Sequence, residues 1–243
     1  MIVFMSIGGY MNNKVWLIVV GCFAAFQAVA EPSCNLDLSK KPYYRLELTV
    51  PATFCKSGAN RSDPSCRDFP KEGAIQLHGL WPNYSQGYPQ GICNGSECPP
   101  NRPTYCDYPS PPNLYESDSW KTMKGFMAGL EKCLERHEWV KHGICSPMAA
   151  PAYFEWSLTK AKEISEAIAP YLNKEISRKQ FNTLIAYKLP DIDGALRLKC
   201  SGSNLYSMSV FYKWGDTPQE VIPTTSGQNS FGNCKQTFRI PSK

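Results

Sequence analysis

The chain has 243 residues, of which 42% are hydrophobic, and its 26 Lys and Arg against 21 Asp and Glu give a formal net charge of +5. A charge this small argues against a protein that holds DNA or RNA by charge alone, because such proteins carry denser basic runs. The length fits one domain with a sizeable core, and no stretch of the sequence is a linker long enough to divide it.

The first thirty residues have the layout of a secretory signal peptide. Lys14 is the only charged residue before Glu31, an apolar run covers residues 15–26, and small residues occupy positions 28–30. This order of charge, apolar run and small residues is typical of cleaved export signals. The apolar run is too short to span a bilayer as a helix.

We therefore predict a signal peptide over residues 1–30, cleaved after Ala30, and a mature domain over residues 31–243. Met11 is a plausible start, which would make residues 1–10 an upstream extension. The alternative is a lipoprotein signal, in which cleavage before Cys22 would leave that cysteine lipidated; its apolar run is only about half as long, so the first interpretation is favoured.

The cysteine count indicates an oxidising compartment. Of the 11 cysteines, Cys22 lies in the signal peptide, and the even number that remains in an exported chain predicts five disulfides. These are Cys34, Cys55, Cys66, Cys93, Cys98, Cys106, Cys133, Cys145, Cys200 and Cys234. The alternative is a metal site on Cys93, Cys98 and Cys106, but the sequence has no Cys-x2-Cys pair, so disulfides are favoured.

The first half of the mature chain reads as two strands separated by loops. Residues 44–50 alternate apolar and polar side chains, which predicts a strand with one buried face. Residues 51–72 resemble a disulfide-closed loop, and residues 74–78 predict a second strand that runs into Gly79. The Pro-rich stretch 82–113 predicts neither helix nor central strand and is long enough to be a functional loop.

Helical patterns follow, and strand patterns return at the end of the chain. Predicted helices cover residues 118–134, 137–143, 151–172 and 177–189, and predicted strands cover 195–200, 206–214 and 236–240. This order predicts an α+β fold with a mostly antiparallel sheet and several packed helices, in a single disulfide-stabilised domain.

All three histidines lie in two short segments that also contain tryptophan. His78 is in HGLWPNY, and His137 and His142 are in HEWVKHG. Histidine is the side chain whose ordinary pKa lies nearest to neutral, so it can accept and donate protons under physiological conditions. Three histidines confined in this way predict a catalytic site.

The spacing in HEWVKHG places its ionisable side chains on one side of a helix. At about 100° per residue, four ionisable residues span an arc of about 140° and two apolar residues point away; these are His137, Glu138, Lys141 and His142 against Trp139 and Val140. The ordinary alternative is an amphipathic helix with a charged, exposed face. A zinc site is a second alternative, but metalloprotease histidines are four residues apart, whereas these two are five apart.

The first segment combines a proton carrier with aromatic side chains. His78 lies where a strand pattern breaks, and the alternative to catalysis is a core histidine bonded to a backbone carbonyl. Trp81 is followed by Pro82 and Asn83 in what resembles a loop, which favours a stacking surface for nucleic-acid bases. Tyr84 and Tyr88 would extend that surface.

The segments HGLWPNY and HEWVKHGIC resemble the two active-site segments of the T2-type ribonucleases, which are secreted or periplasmic endoribonucleases. The resemblance extends along most of the mature chain through its cysteines. The run CLERHEWVKHG and the C-terminal GNCKQTF are most similar to the bacterial branch of the family, which has periplasmic members. Two complete segments in the same order make a chance match implausible.

The resemblance implies a reaction and a role for each residue. The family cleaves single-stranded RNA by attack of the ribose 2′-oxygen on the adjacent phosphorus, which leaves a 2′,3′-cyclic phosphate and a free 5′-hydroxyl. It implies that His142 is the general base, His78 the general acid and His137 a phosphate ligand, with Lys141 and Glu138 stabilising the transition state. DNA lacks the nucleophile and should be inert, and the reaction needs no metal and no cofactor.

The residues at the base-binding positions match those of the family less completely than the catalytic residues do. It implies that Trp81 stacks on a base and that Tyr88 is a second aromatic contact. Asn83 stands where some family members carry Asp, so no base preference is predicted and we expect low base specificity.

For the disulfides we predict Cys55–Cys66, Cys106–Cys145 and Cys200–Cys234. The resemblance implies that Cys133 is bonded to Cys93 or Cys98, which leaves Cys34 for the other. The Cys106–Cys145 bond would tie the Pro-rich loop to the end of the catalytic helix.

Two other functions are weighed against the endoribonuclease. A catalytically inactive RNA-binding relative would have the same fold, but all five catalytic-type residues are present. A metal-dependent hydrolase is disfavoured by the histidine spacing. After removal of the signal peptide we expect a monomer without membrane attachment, in the periplasm or the medium, whose partner is single-stranded RNA.

Overall fold

The structure, a computed structural model, describes residues 34–242 except 57, 59, 68–71, 92–103 and 225–227. The predicted signal peptide, with Cys22, and the cysteines Cys93 and Cys98 lie outside the described residues. Within the described part of the chain, no helix has both the length and the apolar character needed to cross a bilayer.

The described chain forms a six-stranded sheet with helices packed against it. The strands are β1 (Tyr43–Thr49), β2 (Gln76–Asn83), β3 (Glu175–Ser177), β4 (Leu196–Ser201), β5 (Asn204–Lys213) and β6 (Thr237–Arg239). Their order is β2-β1-β5-β6-β3. Strand β4 also pairs with β5, at several of the same residues of β5 that pair with β1 on the opposite side. The pairing is antiparallel except for one parallel contact between β5 and β6. The predicted α+β class with a mostly antiparallel sheet is confirmed.

Five α-helices accompany the sheet: α1 (Pro51–Phe54), α2 (Asp118–Phe126), α3 (Leu134–Lys141), α4 (Ala150–Ile168) and α5 (Arg178–Lys188). Short 3-10 turns follow α3 at Gly143–Cys145 and α4 at Ala169–Tyr171. The predicted helix 118–134 is two elements, because Gly129 has a φ of 96° and Cys133 a φ of 58°, left-handed conformations that interrupt a helix. The prediction for α5 is confirmed, with a capping box between Ser177 and Gln180.

Strand β2 is longer than predicted, and this changes the position of Trp81. The strand continues through Pro82 to Asn83, although a proline cannot donate a hydrogen bond to a neighbouring strand. It is accommodated because β2 lies at the edge of the sheet. Trp81 is therefore held on a strand opposite Arg45 of β1, and the prediction that it lies in a loop is wrong.

The two faces of the sheet differ in polarity. Tyr44, Leu46 and Leu48 of β1 are completely buried against the helices, whereas Arg45 and Thr49 line a cavity on the opposite face. This is the alternation that the sequence of β1 predicts. The sheet thus has one face that builds the core and one that is available for ligands.

Tyr153 of α4 fixes the middle of β2. Its hydroxyl accepts a hydrogen bond from the Leu80 backbone N–H at 3.2 Å and donates one to the Leu80 carbonyl. The phenol is completely buried. Because Leu80 lies between His78 and Trp81 in the sequence, this contact anchors the part of the β2 backbone that carries both side chains.

The disulfides agree with the prediction in part. Cys55–Cys66 and Cys200–Cys234 are confirmed. The predicted Cys106–Cys145 bond is wrong, as is the bond from Cys133 to Cys93 or Cys98. The bonds formed are Cys34–Cys145 and Cys106–Cys133.

The reason for the different pairing is the direction of α3. Cys133 immediately precedes this helix and Cys145 follows it, so a length of about 12 Å, from 1.5 Å per residue, separates the two ends. Cys106 lies at the N-terminal end, where its carbonyl also accepts a hydrogen bond from Arg136 Nη1 at 2.7 Å. It therefore bonds to Cys133, and Cys34 reaches the C-terminal end.

Candidate active site

Helix α3 is buried on nearly all sides. Trp139 and Val140 pack into the core as predicted, but the ionisable side is buried as well: His137 is 8% exposed, Glu138 1% and His142 6%. The alternative of an amphipathic helix with a charged, exposed face is therefore wrong. Burying three ionisable side chains is unfavourable unless neighbouring groups bind or neutralise them, so their partners indicate what the site does.

Glu138 lies at the centre of the site and connects α3 to β2. Its Oε2 accepts a hydrogen bond of 2.6 Å from the Trp81 indole N–H, and its Oε1 lies 3.5 Å from His78 Nε2. The two segments that the sequence analysis identified, which are separated by more than fifty residues, thus meet at one carboxyl group.

This meeting requires a glycine in β2. A Cβ atom at position 79 would overlap with Glu138 Oε2 and with Trp81 Nε1. Only a residue without a side chain allows the carboxyl group to approach the strand this closely. The glycine of HGLWPNY therefore has a steric role that its sequence position alone does not reveal.

We predict that Gly79→Ala displaces Glu138 and reduces kcat/KM on RNA by at least about tenfold, with a loss of about 1–3 kcal/mol in the free energy of unfolding from overpacking. Gly58→Ala is the control, because nothing lies within 4 Å of a Cβ atom there. Activity assays and urea unfolding of both variants measure the difference. Equal behaviour of the two variants would contradict the proposed contact.

Aromatic rings surround the histidines. The His142 ring lies 5.2 Å from the Trp81 ring at an interplanar angle of 28° and 5.5 Å from the Tyr88 ring. The His137 ring stacks on Tyr105 at 4.4 Å. The Nδ1 atoms of His137 and His142 have no hydrogen-bond partner. Among the described residues, neither buried nitrogen is tied to another protein group.

The environment lowers the pKa of every histidine. Burial, followed by the positive charge of Lys141, lowers the pKa of His137 to about 3 and that of His142 well below its usual value. Desolvation, followed by Lys132, Lys141 and Arg45, also lowers the pKa of His78. Because 41% of the His78 side chain is exposed, water offsets part of that desolvation. All three imidazoles favour the neutral form in the free protein.

Burial has the opposite consequence for the carboxyl group. It raises the pKa of Glu138 to about 8, although the hydrogen bond from Trp81 and the charge of Lys141 act against this shift. The folded protein therefore holds a proton on Glu138 at pH values where the unfolded chain has released it. Between the usual pKa of 4.5 and about 8, the contribution of Glu138 to the free energy of unfolding therefore falls as the pH rises.

We predict that Glu138→Gln, which cannot ionise, removes this contribution. The free energy of unfolding of the variant relative to wild type should increase as the pH rises from 4.5 to 8, measured by urea unfolding at several pH values. Glu155→Gln on the exposed side of α4 is the control. An unchanged difference between Glu138→Gln and wild type over this range would show that Glu138 does not retain its proton.

The cavity beside these residues has a volume of about 500 Å³. It is lined by His78, Trp81 and His137, and also by three residues that sequence reasoning missed: Arg45, Thr49 and Tyr105. The Arg45 guanidinium lies 5.1 Å from the Trp81 ring centre, and Thr49 Oγ1 lies 3.3 Å from His78 Nδ1. Arg45 and Thr49 could have been predicted, because they are polar positions in the alternating sequence of β1 and therefore face away from the core. No pattern in the sequence predicted Tyr105.

The predicted base-binding residues occupy different surroundings. Trp81 contacts His142, Arg45 and Glu138, so protein groups already occupy its ring and its N–H. Tyr88 is 39% exposed, and Lys141 Nζ lies 5.7 Å from its ring centre. Asn83 donates a hydrogen bond of 3.0 Å to the Trp81 carbonyl, which orients its amide along its own strand. Tyr88 thus presents a more accessible aromatic face than Trp81.

The arrangement offers acid–base chemistry and a place for an anion. The three histidines and Lys141 belong to the two segments that meet at Glu138, and an imidazole accepts a proton when it is neutral and donates one when it is protonated. Among the described residues, no group of three or more His, Cys, Asp or Glu side chains is arranged to hold a metal ion.

Comparison with known proteins identifies a family. The Ribonuclease T2 family model matches residues 41–209. Ribonuclease I of Escherichia coli (strain K12) is 27% identical over 249 residues, covering 84% of this chain and 90% of that protein. A ribonuclease of Aeromonas hydrophila is 29% identical over 109 residues, covering 44% of this chain and 39% of that protein.

Solved structures share the fold. RNase NT, determined in complex with 5′-AMP, aligns with a TM-score of 0.59 at 18% identity over 84% of this chain and 99% of that one. An RNase-related protein from Calystegia sepium aligns with a TM-score of 0.55 at 21% identity over 83% of this chain and 97% of that one.

Proposed function

The chain belongs to the ribonuclease T2 family, and from this premise we propose that it is an endoribonuclease that cuts single-stranded RNA by transphosphorylation. The observation that carries the proposal is the convergence of HGLWPNY and HEWVKHG through the Trp81–Glu138 hydrogen bond. Two proton carriers, His78 and His142, both contact the Trp81 ring, at 5.3 and 5.2 Å between ring centres. Proton transfer at both ends of a phosphodiester needs such a pair.

The reaction begins with removal of the proton from the ribose 2′-hydroxyl by His142. The lowered pKa of His142 keeps it neutral and able to accept that proton. The 2′-oxygen then bonds to phosphorus, and the bond from phosphorus to the 5′-oxygen of the next nucleotide breaks. His78 donates the proton that the leaving 5′-oxygen needs, and the products are a 2′,3′-cyclic phosphate and a 5′-hydroxyl.

The remaining residues stabilise negative charge, position the general acid or bind a base. Lys141 and a hydrogen bond from His137 stabilise the negative charge that develops on the phosphoryl oxygens, a contribution that is often the largest in such sites. Glu138 orients Trp81 and faces His78 Nε2, so it positions the general acid. Tyr88, with its accessible ring, stacks on a base, and low base specificity follows because every base has a face for stacking.

The pH dependence follows from the lowered histidine pKa values. The general base must be neutral, which the low pKa of His142 permits in acid, and the general acid must be protonated, which the low pKa of His78 restricts to acid. We predict a bell-shaped profile of kcat/KM with its maximum below pH 6.5. A flat profile from pH 4 to 8, with chemistry rate-limiting, would contradict the two-histidine mechanism.

Export supports the same function. The signal-peptide pattern of residues 1–30 and the disulfides of the described chain favour a periplasmic or extracellular enzyme, since disulfides persist in oxidising compartments.

The test uses residues 31–243 with disulfides intact, incubated in excess EDTA with an RNA oligomer and with its DNA equivalent. We expect RNA to be cut to fragments with 2′,3′-cyclic phosphate ends, identified by mass, and DNA to stay intact. No cleavage by a folded protein would favour the inactive RNA-binding relative, and activity that returns only with added metal would favour a metal-dependent hydrolase.

A further inference from the structure

The cavity extends well beyond the catalytic residues. From His78 and Trp81 on β2 it continues across the polar face of the sheet to Arg197 and Lys199 on β4. Strand β2 pairs with β1, β1 with β5, and β5 with β4. With strands about 4.8 Å apart, the far end lies about 14 Å from the catalytic strand. A cavity of this length is longer than one phosphodiester needs.

Strand pairing places the far cations in line with the catalytic histidine. His78 contacts Thr49 of β1, Thr49 pairs with Ser207 of β5, and Ser207 pairs with Lys199 of β4. A neighbouring row runs from Gly79 through Glu47 and Ser209 to Arg197. Directly paired residues share a face of a sheet, so both cations and the imidazole project to the same side.

The two cations at the far end differ from the other cations of the cavity in their partners. Arg45 pairs with Glu47 at 2.8 Å and Lys132 with Asp63 at 2.7 Å. No carboxylate of a described residue pairs with Arg197 or Lys199.

Both far-end side chains lie over aromatic rings instead. The Arg197 guanidinium is 5.2 Å from the Phe211 ring centre and Lys199 Nζ is 5.4 Å from the Tyr206 ring centre. Cations next to aromatic rings in a groove are what proteins use to follow a single-stranded nucleic acid.

We propose that Arg197 and Lys199 form a subsite for the phosphates of the RNA chain on the 3′ side of the cut. The side follows from the proposed function, on which this inference rests. His78 protonates the 5′-oxygen of the nucleotide that leaves, and the row to Lys199 starts at His78. His142 and Tyr88, on the 2′-oxygen side, do not line this cavity. The chain that continues 3′ of the cut therefore enters the groove.

The test uses oligonucleotides with a single ribonucleotide in a 2′-O-methyl background, which restricts cleavage to one bond. One substrate carries several nucleotides on the 3′ side of that bond, and another carries the same number on the 5′ side. The variant is Arg197→Ala with Lys199→Ala. Its control is Arg239→Ala with Lys179→Ala, which removes the same charges from exposed positions outside the cavity.

We expect kcat/KM of the Arg197/Lys199 variant on the 3′-extended substrate to fall by about tenfold, which is equivalent to about 1.4 kcal/mol for two exposed charge contacts. The variant should equal wild type on the 5′-extended substrate, and the control variant should equal wild type on both. The salt dependence of kcat/KM should become shallower by about 0.7 for each phosphate that the variant no longer binds. Equal reductions on the two substrates, or equal reductions in the two variants, would overturn the subsite.

A binding experiment separates this inference from the proposed function. A fully 2′-O-methylated oligomer cannot be cleaved, so its Kd reports binding alone, measured by fluorescence anisotropy. A weaker Kd in the Arg197/Lys199 variant but not in the control supports the subsite even if wild type fails to cut RNA. An unchanged Kd, with RNA cleavage intact, would overturn the subsite and leave the proposed function standing.

Discussion

Replacing His142 with alanine is expected to reduce kcat on RNA by about 10²–10⁴-fold, the usual contribution of a positioned proton-transfer group. The same loss is expected for His78→Ala. The His142 ring lies against the rings of Trp81 and Tyr88, and neither of these side chains is a base at neutral pH that could replace it. The measurement is single-turnover cleavage of a defined RNA oligomer.

Folding must be separated from chemistry because His142 is only 6% exposed. His142→Gln, which keeps a polar side chain of comparable length, serves as the second variant. Both variants should be inactive while the glutamine variant retains cooperative urea unfolding. A folded His142→Gln variant with near wild-type activity would exclude His142 as the general base.

The second large effect is expected at Lys141. Its positive charge acts on His78, His137, His142 and Glu138, so it contributes to the potential at all four ionisable groups of the site. Loss of one group that stabilises developing negative charge typically costs about 10²–10³-fold in kcat. We therefore expect Lys141→Ala to lose that much, mainly in kcat rather than in KM.

A matched control exists for Lys141. Lys40 lies 5.3 Å from the Tyr84 ring centre, as Lys141 lies 5.7 Å from that of Tyr88. Lys40 pairs with Asp37 instead, and it is not among the charges that act on the histidines or on Glu138. Lys40→Ala should leave kcat unchanged. A rise in KM without a change in kcat for Lys141→Ala would mean that Lys141 binds the ground state and the transition state equally.

The sequence was sufficient to predict the class of fold and the convergence of two segments. Alternation in β1 and the Ser177 capping signal are local patterns, and local patterns are what a sequence records directly. The end of α2 was predicted too late because Gly129 and Cys133 take left-handed conformations. The extension of β2 through Pro82 was missed because only the sheet order shows that this strand is at an edge.

The individual contacts that distant segments make could not be predicted. Pairing among cysteines depends on which end of α3 each loop reaches, and the sequence does not contain that information. Tyr105 stacks on His137 because the Cys106–Cys133 bond brings it there. The burial of Glu138, and with it the raised pKa, depends on Gly79 from another element. The motifs were therefore enough to propose the site, whereas its electrostatics required the structure.

The central claim is that His78 is the general acid and His142 the general base, and a substrate with sulfur in place of the 5′-bridging oxygen tests it most directly. A thiolate leaves without a proton, since thiol pKa values are about 8.5. We predict that His78→Ala cleaves this substrate at a rate close to wild type, whereas His142→Ala stays inactive. Recovery of His142→Ala, or no recovery of His78→Ala in a folded protein, would contradict the assignment.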